Sequence, residues 1–172
     1  MQFTWRRCSY YEMKELYELV IPECDRWVGD KFLDTDIIKG FIAEENGEVI
    51  ACSVICNLEI SETMYIECFA ISPSIRGKKL SYIAWNTFIE FINNNYPEIN
   101  TDRLIIEVYL QNIELWSKIM GIESLNMTNA INLKSDVLIM GKNIHNPNVI
   151  YKEWKNIADE NLSELSFLNV KL

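Results

Sequence analysis

The chain has 172 residues, 49% of them hydrophobic, and carries a formal net charge of -9 at pH 7. Its length fits one domain, at about 100–200 residues per domain, and its apolar content is sufficient for a core. A nucleic-acid partner is not expected, because neutralising phosphates requires clustered Lys and Arg over a wide face. The acidity suits a cationic partner better, although net charge can also serve solubility alone.

Neither a membrane span nor a signal peptide is expected. The sequence holds no long apolar run, and Met1 to Arg7 lacks a hydrophobic region behind its charges. We therefore predict no membrane partner and a cytoplasmic location. The five cysteines show no metal-ligand spacing and three fall in predicted strands, so we interpret them as buried thiols. His145, the only histidine, lies in a predicted linker with no second ligand nearby, so no metal is expected.

The N-terminal region predicts a short strand followed by two helices. The strand runs from Phe3 to Cys8. Ser9 and Glu12 then have the spacing of a capping box, which predicts a helix up to Pro22. After an irregular link, apolar residues predict a second helix that ends before Gly40. These apolar residues are Phe32, Leu33, Ile37 and Ile38.

A β-hairpin and a third antiparallel strand are predicted next. Asn46-Gly47 is the favoured pair for a tight type I′ turn, and it joins a strand at Phe41–Glu44 to one at Val49–Ile55. The following strand runs from Thr63 to Ile71. Because side chains alternate along a strand, its odd-numbered residues are expected to share one face. These residues are Tyr65, Glu67, Phe69 and Ile71.

The remaining elements alternate between helices and strands. A buried helix is predicted to end at Asn94, since Pro97 cannot continue it. A strand, a helix and a further strand follow, which makes a crossover unit. The predicted segments are a strand at Arg103–Val108, a helix at Ile113–Met120 before Gly121, weaker strands at Ile122–Leu125 and Ala130–Leu133, a strand at Asp136–Lys142, a linker at Asn143–Asn148 and a helix from Tyr151 to about Leu165.

The loop between the Thr63–Ile71 strand and the buried helix predicts an anion site. The N–H groups of a helix's first turn have no partners within the helix, and their aligned dipoles favour negative charge. A phosphate can satisfy them. Arg76, Lys78 and Lys79 add three cations to this helix start.

The segment from Phe69 to Ser81 resembles the coenzyme A signature of the GNAT acyltransferase superfamily, Q/R-x-x-G-x-G/A after a strand. Arg76 matches the first position of that pattern. Lys79 stands where the family has its first required Gly, and Ser81 where it has Gly or Ala. Gly reaches positive φ and approaches a pyrophosphate without steric cost, which Lys does not. Lys79 either compensates with its charge or narrows the site.

A second signature of the same family, roughly L-E-V-x-x-x-N followed by A-L-Y-x-K-x-G-F, resembles the segment from Leu104 to Ile122. Glu107 and Asn112 have the family spacing. The family's Tyr acid aligns best with Trp116, whose indole is not a usable proton donor at neutral pH. Ser117 and Tyr109 are the alternative candidates for this role.

The resemblance implies an α/β (α+β) fold. The family has a mixed, mostly antiparallel central sheet of about six or seven strands, flanked by helices and splayed between the fourth and fifth strands. It also implies a GNAT-like domain over residues 1–142. Residues 143–172 then form a C-terminal extension, helical and packed on the same domain.

The resemblance further implies acetyl-CoA or another acyl-CoA as co-substrate, with no metal. Backbone groups of the strand would pair with pantetheine, the loop would hold the pyrophosphate, and Asn112 would bond the pantetheine side. The implied coenzyme-binding residues are Phe69, Ala70, Ile71, Arg76, Gly77, Lys78, Lys79, Leu80, Ser81, Asn112 and Trp116.

The candidate general base is Glu67, at a strand position where many family members keep a carboxylate. The alternative is a strand Glu that faces solvent or pairs with a cation, and Glu107 competes for the catalytic role. Trp27 and Asp30 lie where the family places acceptor contacts, and an acidic, aromatic rim suits a cationic amine. The alternative there is a set of helix caps on a solvated face.

Together these features predict an N-acyltransferase. It would move an acetyl or other short acyl group from acyl-CoA to a primary amine of a small molecule or protein, by direct attack on the thioester. A catalytically weak or inactive acyl-CoA-binding module of the same fold is the alternative, since Lys79, Ser81 and Trp116 replace family residues. Either a monomer or a homodimer is compatible with the sequence.

Overall fold

The structure is a computed structural model. It describes residues 1–9, 12, 37–77, 79–125, 127 and 137–170, and for 161–170 the backbone only. The strands of the described residues are β1 (Thr4–Cys8), β2 (Ile38–Glu45), β3 (Glu48–Leu58), β4 (Thr63–Ile71), β5 (Leu104–Tyr109), β6 (Glu123–Ser124) and β7 (Val137–Lys142). The helices are α1 (Leu80–Asn95), α2 (Ile113–Met120) and α3 (Pro147–Val170).

The seven strands form one sheet in the order β1-β2-β3-β4-β5-β7-β6. Every neighbouring pair is antiparallel except β4 and β5, which run parallel and are connected through α1. This confirms the expected mixed, mostly antiparallel sheet flanked by helices. The division into residues 1–142 and 143–172 stays a prediction.

The hairpin between β2 and β3 forms where the Asn-Gly pair predicted it. Asn46 and Gly47 both have positive φ, 54° and 81°. A type I′ turn requires positive φ at both central residues, and its twist matches the flanking strands. The predicted capping box is also present, because Ser9 N–H donates to Glu12 Oε2 at 3.1 Å and Glu12 N–H donates to Ser9 Oγ at 3.3 Å.

A β-bulge in β4 moves side chains from one face of the sheet to the other. Val54 pairs with Cys68 while Ile55 pairs with Ile66, so Glu67 is the extra residue. Phe69 consequently packs in the cluster beneath α1, whereas Tyr65 packs in the cluster on the opposite face. The prediction that all odd-numbered residues of this strand share one face is therefore wrong.

The sheet separates two apolar clusters. The first lies between the sheet and the helices α1 and α2, and includes Trp5, Phe41 and Phe88, with ring centroids of Trp5 and Phe88 4.8 Å apart. The second lies on the other face, where α3 packs against β3 and β4, with Trp154 stacked on Tyr65 and Ile105 of β5 in the same cluster. Both faces of the sheet are therefore covered over the region where β4 and β5 meet.

Two predicted boundaries are wrong. Ile38 and Gly40 belong to β2, so the second predicted helix does not extend to Ile38; residues 10, 11 and 13–36 lie outside the described part of the chain. The last helix begins at Pro147, inside the predicted linker, because Pro is favoured at the first position of a helix. The weak strand at Ala130–Leu133 also lies outside the described residues.

The cysteines of the described residues are buried thiols, as predicted: Cys8, Cys52, Cys56 and Cys68. Cys24 lies outside the described part of the chain. Among the described helices, none combines the length and the apolar content needed to span a membrane.

Candidate active site

The parallel strands β4 and β5 separate one residue before Glu67 and Glu107. Their pairing covers Met64 with Leu104, Tyr65 with Ile105, and Ile66 with Ile106. Beyond that point β4 continues along β3 to Ile71, while β5 continues along β7 to Tyr109. We call the wedge between the diverging strands the fork; its apex lies at Glu67 and Glu107. The expected splay between the fourth and fifth strands is thus confirmed.

Backbone groups of β4 face the fork at alternate residues. In an antiparallel pair, every second residue directs its N–H and C=O toward the partner strand. Ser72 does so, because its N–H donates to the carbonyl of Ile50 at 2.8 Å. Phe69 and Ile71 therefore direct their backbone groups toward the fork, where the Ile71 carbonyl accepts a hydrogen bond of 3.3 Å from Arg76 Nε.

The predicted anion-binding loop leads directly into α1. Gly77 has φ of 79° and Lys79, the N-cap residue of α1, has φ of 59°. The side chain of Lys79 makes no capping hydrogen bond. Lys79 thus occupies the left-handed conformation that suits the family's Gly, at a cost of about 1–2 kcal/mol. Leu80 and Ser81, which open the helix, are half-buried; Lys78 lies outside the described residues.

Glu67, the half-buried bulge residue, accepts a hydrogen bond at Oε1 from Trp154 Nε1 of α3. Trp154 also stacks on Tyr65, with ring centroids 4.4 Å apart and planes 11° from parallel. The candidate base is therefore in contact with a residue that follows the predicted catalytic domain in the sequence. Glu67 therefore does not simply face solvent, and its catalytic role stays a prediction.

Glu107 lies on the other wall of the fork and accepts a hydrogen bond of 3.1 Å from the Tyr65 hydroxyl. Burial, followed by the charges of Glu107 and Glu67, raises the pKa of Tyr65 well above its usual value, so the hydroxyl stays protonated as a donor. Burial and the charges of Glu67 and Glu153 likewise raise the pKa of Cys56, which makes its thiol a poor nucleophile at neutral pH.

The two acid candidates, Ser117 and Tyr109, and Trp116, which aligns with the family's Tyr, lie in different surroundings. Trp116 packs edge-on against Phe69 in the first cluster, with centroids 5.5 Å apart at 86°. The Ser117 hydroxyl donates to the carbonyl of Ile122 at 2.8 Å, which ties it to the segment after α2. Tyr109 is half-buried at the end of β5, the strand that forms the second wall of the fork.

The structure therefore brings together only part of the predicted site. Glu67, the edge of β4 and the start of α1 follow one another along one wall of the fork, and Asn112 is half-buried just before α2. Trp27 and Asp30 lie outside the described residues. Sequence reasoning missed Tyr65 and Trp154. The helical spacing of Tyr151, Trp154 and Ala158 was a signal for a buried face of α3, but nothing in it indicates contact with Glu67.

A mixed sheet whose parallel central strands part beside the N-terminus of a helix is the architecture of acyl-CoA-dependent acyltransferases. In agreement, the model of the acetyltransferase (GNAT) family matches residues 2–122, well over half of the chain. The chain belongs to the GNAT acetyltransferase family.

Solved structures of the same fold include several N-acyltransferases. A chimera of the spermidine N-acetyltransferase SpeG from Vibrio cholerae and hSSAT aligns with a TM-score of 0.61 and 12% identity, over 83% of this chain and 95% of the other. A Bacillus subtilis acetyltransferase in complex with CoA aligns with a TM-score of 0.58 and 15% identity, over 84% and 100%. At these identities the likeness concerns the fold alone.

Curated relatives match a shorter stretch. Histidine N-acetyltransferases from Scomber australasicus and Oreochromis niloticus are each 32% identical over 63 residues, which is 37% of this chain and 19% of each relative. The match thus spans about a fifth of the length of these relatives.

Proposed function

We propose that this chain is an N-acyltransferase that moves an acetyl or other short acyl group from acyl-CoA to a primary amine. The observation that carries the proposal is the fork. It has a carboxylate, Glu67, at its apex, the edge of β4 that faces away from β3 along one wall, and the N-terminus of α1 beyond that edge. Membership of the GNAT family supports the same reaction.

The described residues fit an acyl-CoA co-substrate. A pantetheine arm is rich in amides, and the backbone groups of Phe69 and Ile71 that face the fork offer it strand-like hydrogen bonds. The pyrophosphate suits the amides around Gly77, Lys79 and the first turn of α1, where the helix dipole and cations favour negative charge. The remaining predicted coenzyme contacts are Ala70, Arg76, Lys78, Leu80, Ser81, Asn112 and Trp116.

Bound acyl-CoA supplies the electrophilic thioester carbonyl. The acceptor amine must be neutral to attack, so a base has to take its proton. In our proposal Glu67 does this, directly or through a water, because its half-buried carboxylate lies at the apex of the fork. Tyr109, on the opposite wall, is the candidate acid. A thiol pKa near about 8.5 makes the departing thiolate tolerable without one.

The proposed acceptor is a cationic amine. The formal net charge of -9 and the carboxylates of Glu67 and Glu107 at the apex favour a positively charged compound. The names of the related histidine and spermidine N-acetyltransferases point to amine-bearing small molecules. Trp27 and Asp30 remain our predicted contacts for such an acceptor.

The test is a turnover assay on the purified chain. Acetyl-CoA is mixed with a panel of acceptor amines that includes histidine, spermidine and peptides with a free N-terminus. Release of free CoA thiol is followed, and the masses of the products are measured by mass spectrometry. We expect at least one acceptor to raise thiol release above hydrolysis and to gain one acetyl group. Glu67→Gln should abolish that gain, whereas Glu90→Gln, an exposed carboxylate on α1, should keep it. The proposal is excluded if every acceptor gives hydrolysis alone, both with acetyl-CoA and with longer acyl-CoA donors.

A catalytically weak acyl-CoA-binding module is the second candidate. It is favoured by Trp116, which packs against Phe69 where the family aligns a Tyr acid, and by Ser117, whose hydroxyl is bonded to Ile122. Calorimetry with acetyl-CoA separates the two candidates. Tight binding without transfer supports the module, and binding followed by acceptor-dependent turnover supports the enzyme.

A further inference from the structure

The helix α3 lies outside the stretch matched by the acetyltransferase family, residues 2–122, yet one of its side chains contacts the candidate base. The indole N–H of Trp154 donates to Oε1 of Glu67. An indole has a single donor and no acceptor, so this contact commits the whole polar capacity of Trp154 to one carboxylate oxygen.

The ring of Trp154 is held in place from two sides. It is 4% exposed, stacks on Tyr65 at 4.4 Å and packs against Tyr151 at 5.5 Å. Side chains in such packed surroundings keep one rotamer. The direction of the N–H is therefore fixed by packing, and the carboxylate that accepts from it is fixed in turn.

The position of α3 along the sheet is set by Glu153. Its carboxylate accepts backbone N–H bonds from Ile60 at 3.0 Å and Ser61 at 3.1 Å, and a further bond from the Ser61 hydroxyl. These residues form the turn that leads into β4. Because Glu153 and Trp154 are adjacent, one clamp on this turn places the indole beside the bulge of the same strand.

We propose that Trp154 is a positioning residue for the acyl transfer reaction: its N–H holds the Glu67 carboxylate in one orientation at the apex of the fork and favours the charged form that accepts a proton. This inference rests on the proposed function. It makes α3 a part of the active site and not merely a cover for the second cluster. Glu67 remains half-buried, so an acceptor can still reach it.

Several other charged groups surround the apex, and they stay in place when the hydrogen bond from Trp154 to Glu67 is removed. The charge of Glu107 raises the pKa of Tyr65, and the charge of Glu153 raises the pKa of Cys56. The charge of Lys39 lowers the pKa of Cys56. The titratable and charged groups around the apex are Lys39 on β2, Cys56 on β3, Tyr65 on β4, Glu107 on β5, and Tyr151 and Glu153 on α3. A variant that removes only the indole N–H leaves all of them in place.

Trp154→Phe comes closest to that variant: it removes the indole N–H and shortens the ring, and the remaining phenyl ring can still stack on Tyr65. A donor to a carboxylate stabilises its charged form, so losing the donor raises the pKa of the base. We expect the acidic limb of the kcat/KM profile to move up by about one pH unit, with a loss of rate that approaches about tenfold on that limb and disappears on the plateau above it. The affinity for acetyl-CoA should not change.

Ser61→Ala is the matched control. It removes one of the three hydrogen bonds to Glu153, while the two backbone N–H bonds keep α3 on the turn and the indole N–H and every charge at the apex remain. We expect a lower Tm and an unchanged pH profile. A Trp154→Phe profile that coincides with the wild-type profile, or a Ser61→Ala profile that shifts equally, overturns the proposal.

An NMR titration of the wild-type chain and of Glu67→Gln tests the same contact without an activity assay. The chain has five Trp residues, and triple-resonance assignment identifies the indole N–H signal of Trp154. We expect this signal to titrate with the carboxylate and to lose that titration in Glu67→Gln. A signal that ignores pH, or titrates alike in Glu67→Gln, overturns the positioning role. A Glu67-dependent titration in a chain that acetylates nothing supports the held carboxylate and excludes the proposed function alone.

Discussion

The hydroxyl of Tyr65 donates a hydrogen bond of 3.1 Å to Oε1 of Glu107, across the last paired residues of β4 and β5. The bond joins the two walls of the fork just behind its apex. Tyr65 is 1% exposed, so its hydroxyl cannot exchange this bond for water without opening the structure. The two walls of the fork are thus joined rigidly at the point where they begin to diverge.

Removing this bond should destabilise the fold. In Tyr65→Phe the Glu107 carboxylate loses the hydroxyl donor of Tyr65 while the stacked ring remains, and a hydrogen bond to a charged group contributes about 1.5–3 kcal/mol. We expect the free energy of unfolding in urea to fall by about 1–2 kcal/mol, because Glu107 is only half-buried. Tyr82→Phe, at an exposed position on α1, is the control and should unfold at the wild-type urea concentration. Equal midpoints for Tyr65→Phe and Tyr82→Phe would contradict this role.

The raised pKa of Tyr65 predicts a loss of stability at alkaline pH. Burial, then Glu107 and Glu67, raise this pKa above the ordinary value of 10.0, so the folded chain keeps a proton that the unfolded chain releases. Stability is complete below pH 10 and falls as the pH rises further. Between pH 8 and about 10.5 this one group should remove about 0.8 kcal/mol. Urea titrations at both pH values check it, since Tyr65→Phe should lack this part of the decline.

Most of the fold could be predicted because its signals are local. The Asn-Gly turn, the Thr63–Ile71 strand, the Ile113–Met120 helix and the helix stop at Gly121 each follow from a few neighbouring residues. The bulge at Glu67 could not be predicted, because it depends on the residue-by-residue pairing between β3 and β4. The contact from Trp154 to Glu67 spans 87 residues and exists only once α3 has packed on the sheet.

Lys79 should behave as a strained residue whose replacement separates shape from charge. Lys79→Gly relieves a left-handed conformation, φ 59°, and we expect it to raise the free energy of unfolding by about 0.5–1 kcal/mol. Lys79→Ala keeps the strain and removes the charge. Calorimetry with acetyl-CoA then decides between the two interpretations of this residue. Weaker binding by both variants means that the charge compensates for the missing Gly, whereas tighter binding by Lys79→Gly means that the Lys narrows the site.

Gly141 should tolerate no side chain. A Cβ at this residue of β7 would lie 2.8 Å from the carbonyl oxygen of Leu104 and 2.9 Å from Cδ1 of Leu125. Because the first of these atoms is backbone, β7 must move away from β5, and overpacking of this kind costs about 1–3 kcal/mol. Gly121→Ala is the comparison, since a Cβ there meets open space and only the positive φ of 65° opposes it. Thermal unfolding of Gly141→Ala at or above the Tm of Gly121→Ala would contradict the expected order.

The two carboxylates of the fork should differ in kind. Glu67 accepts a hydrogen bond from the indole of Trp154 on α3. Glu107 accepts one from the buried hydroxyl of Tyr65, which ties it to the opposite wall of the fork. We expect Glu67→Gln to lower kcat by about 10²–10⁴-fold, the usual contribution of a general base, with a modest change in stability. Glu107→Gln should keep kcat within a few-fold, since its amide oxygen can still accept from Tyr65. Steady-state kinetics and urea titrations on both variants provide the comparison. If Glu107→Gln loses kcat instead, Glu107 on β5 is the base that takes the proton of the amine. Glu67 is then only a structural partner of α3.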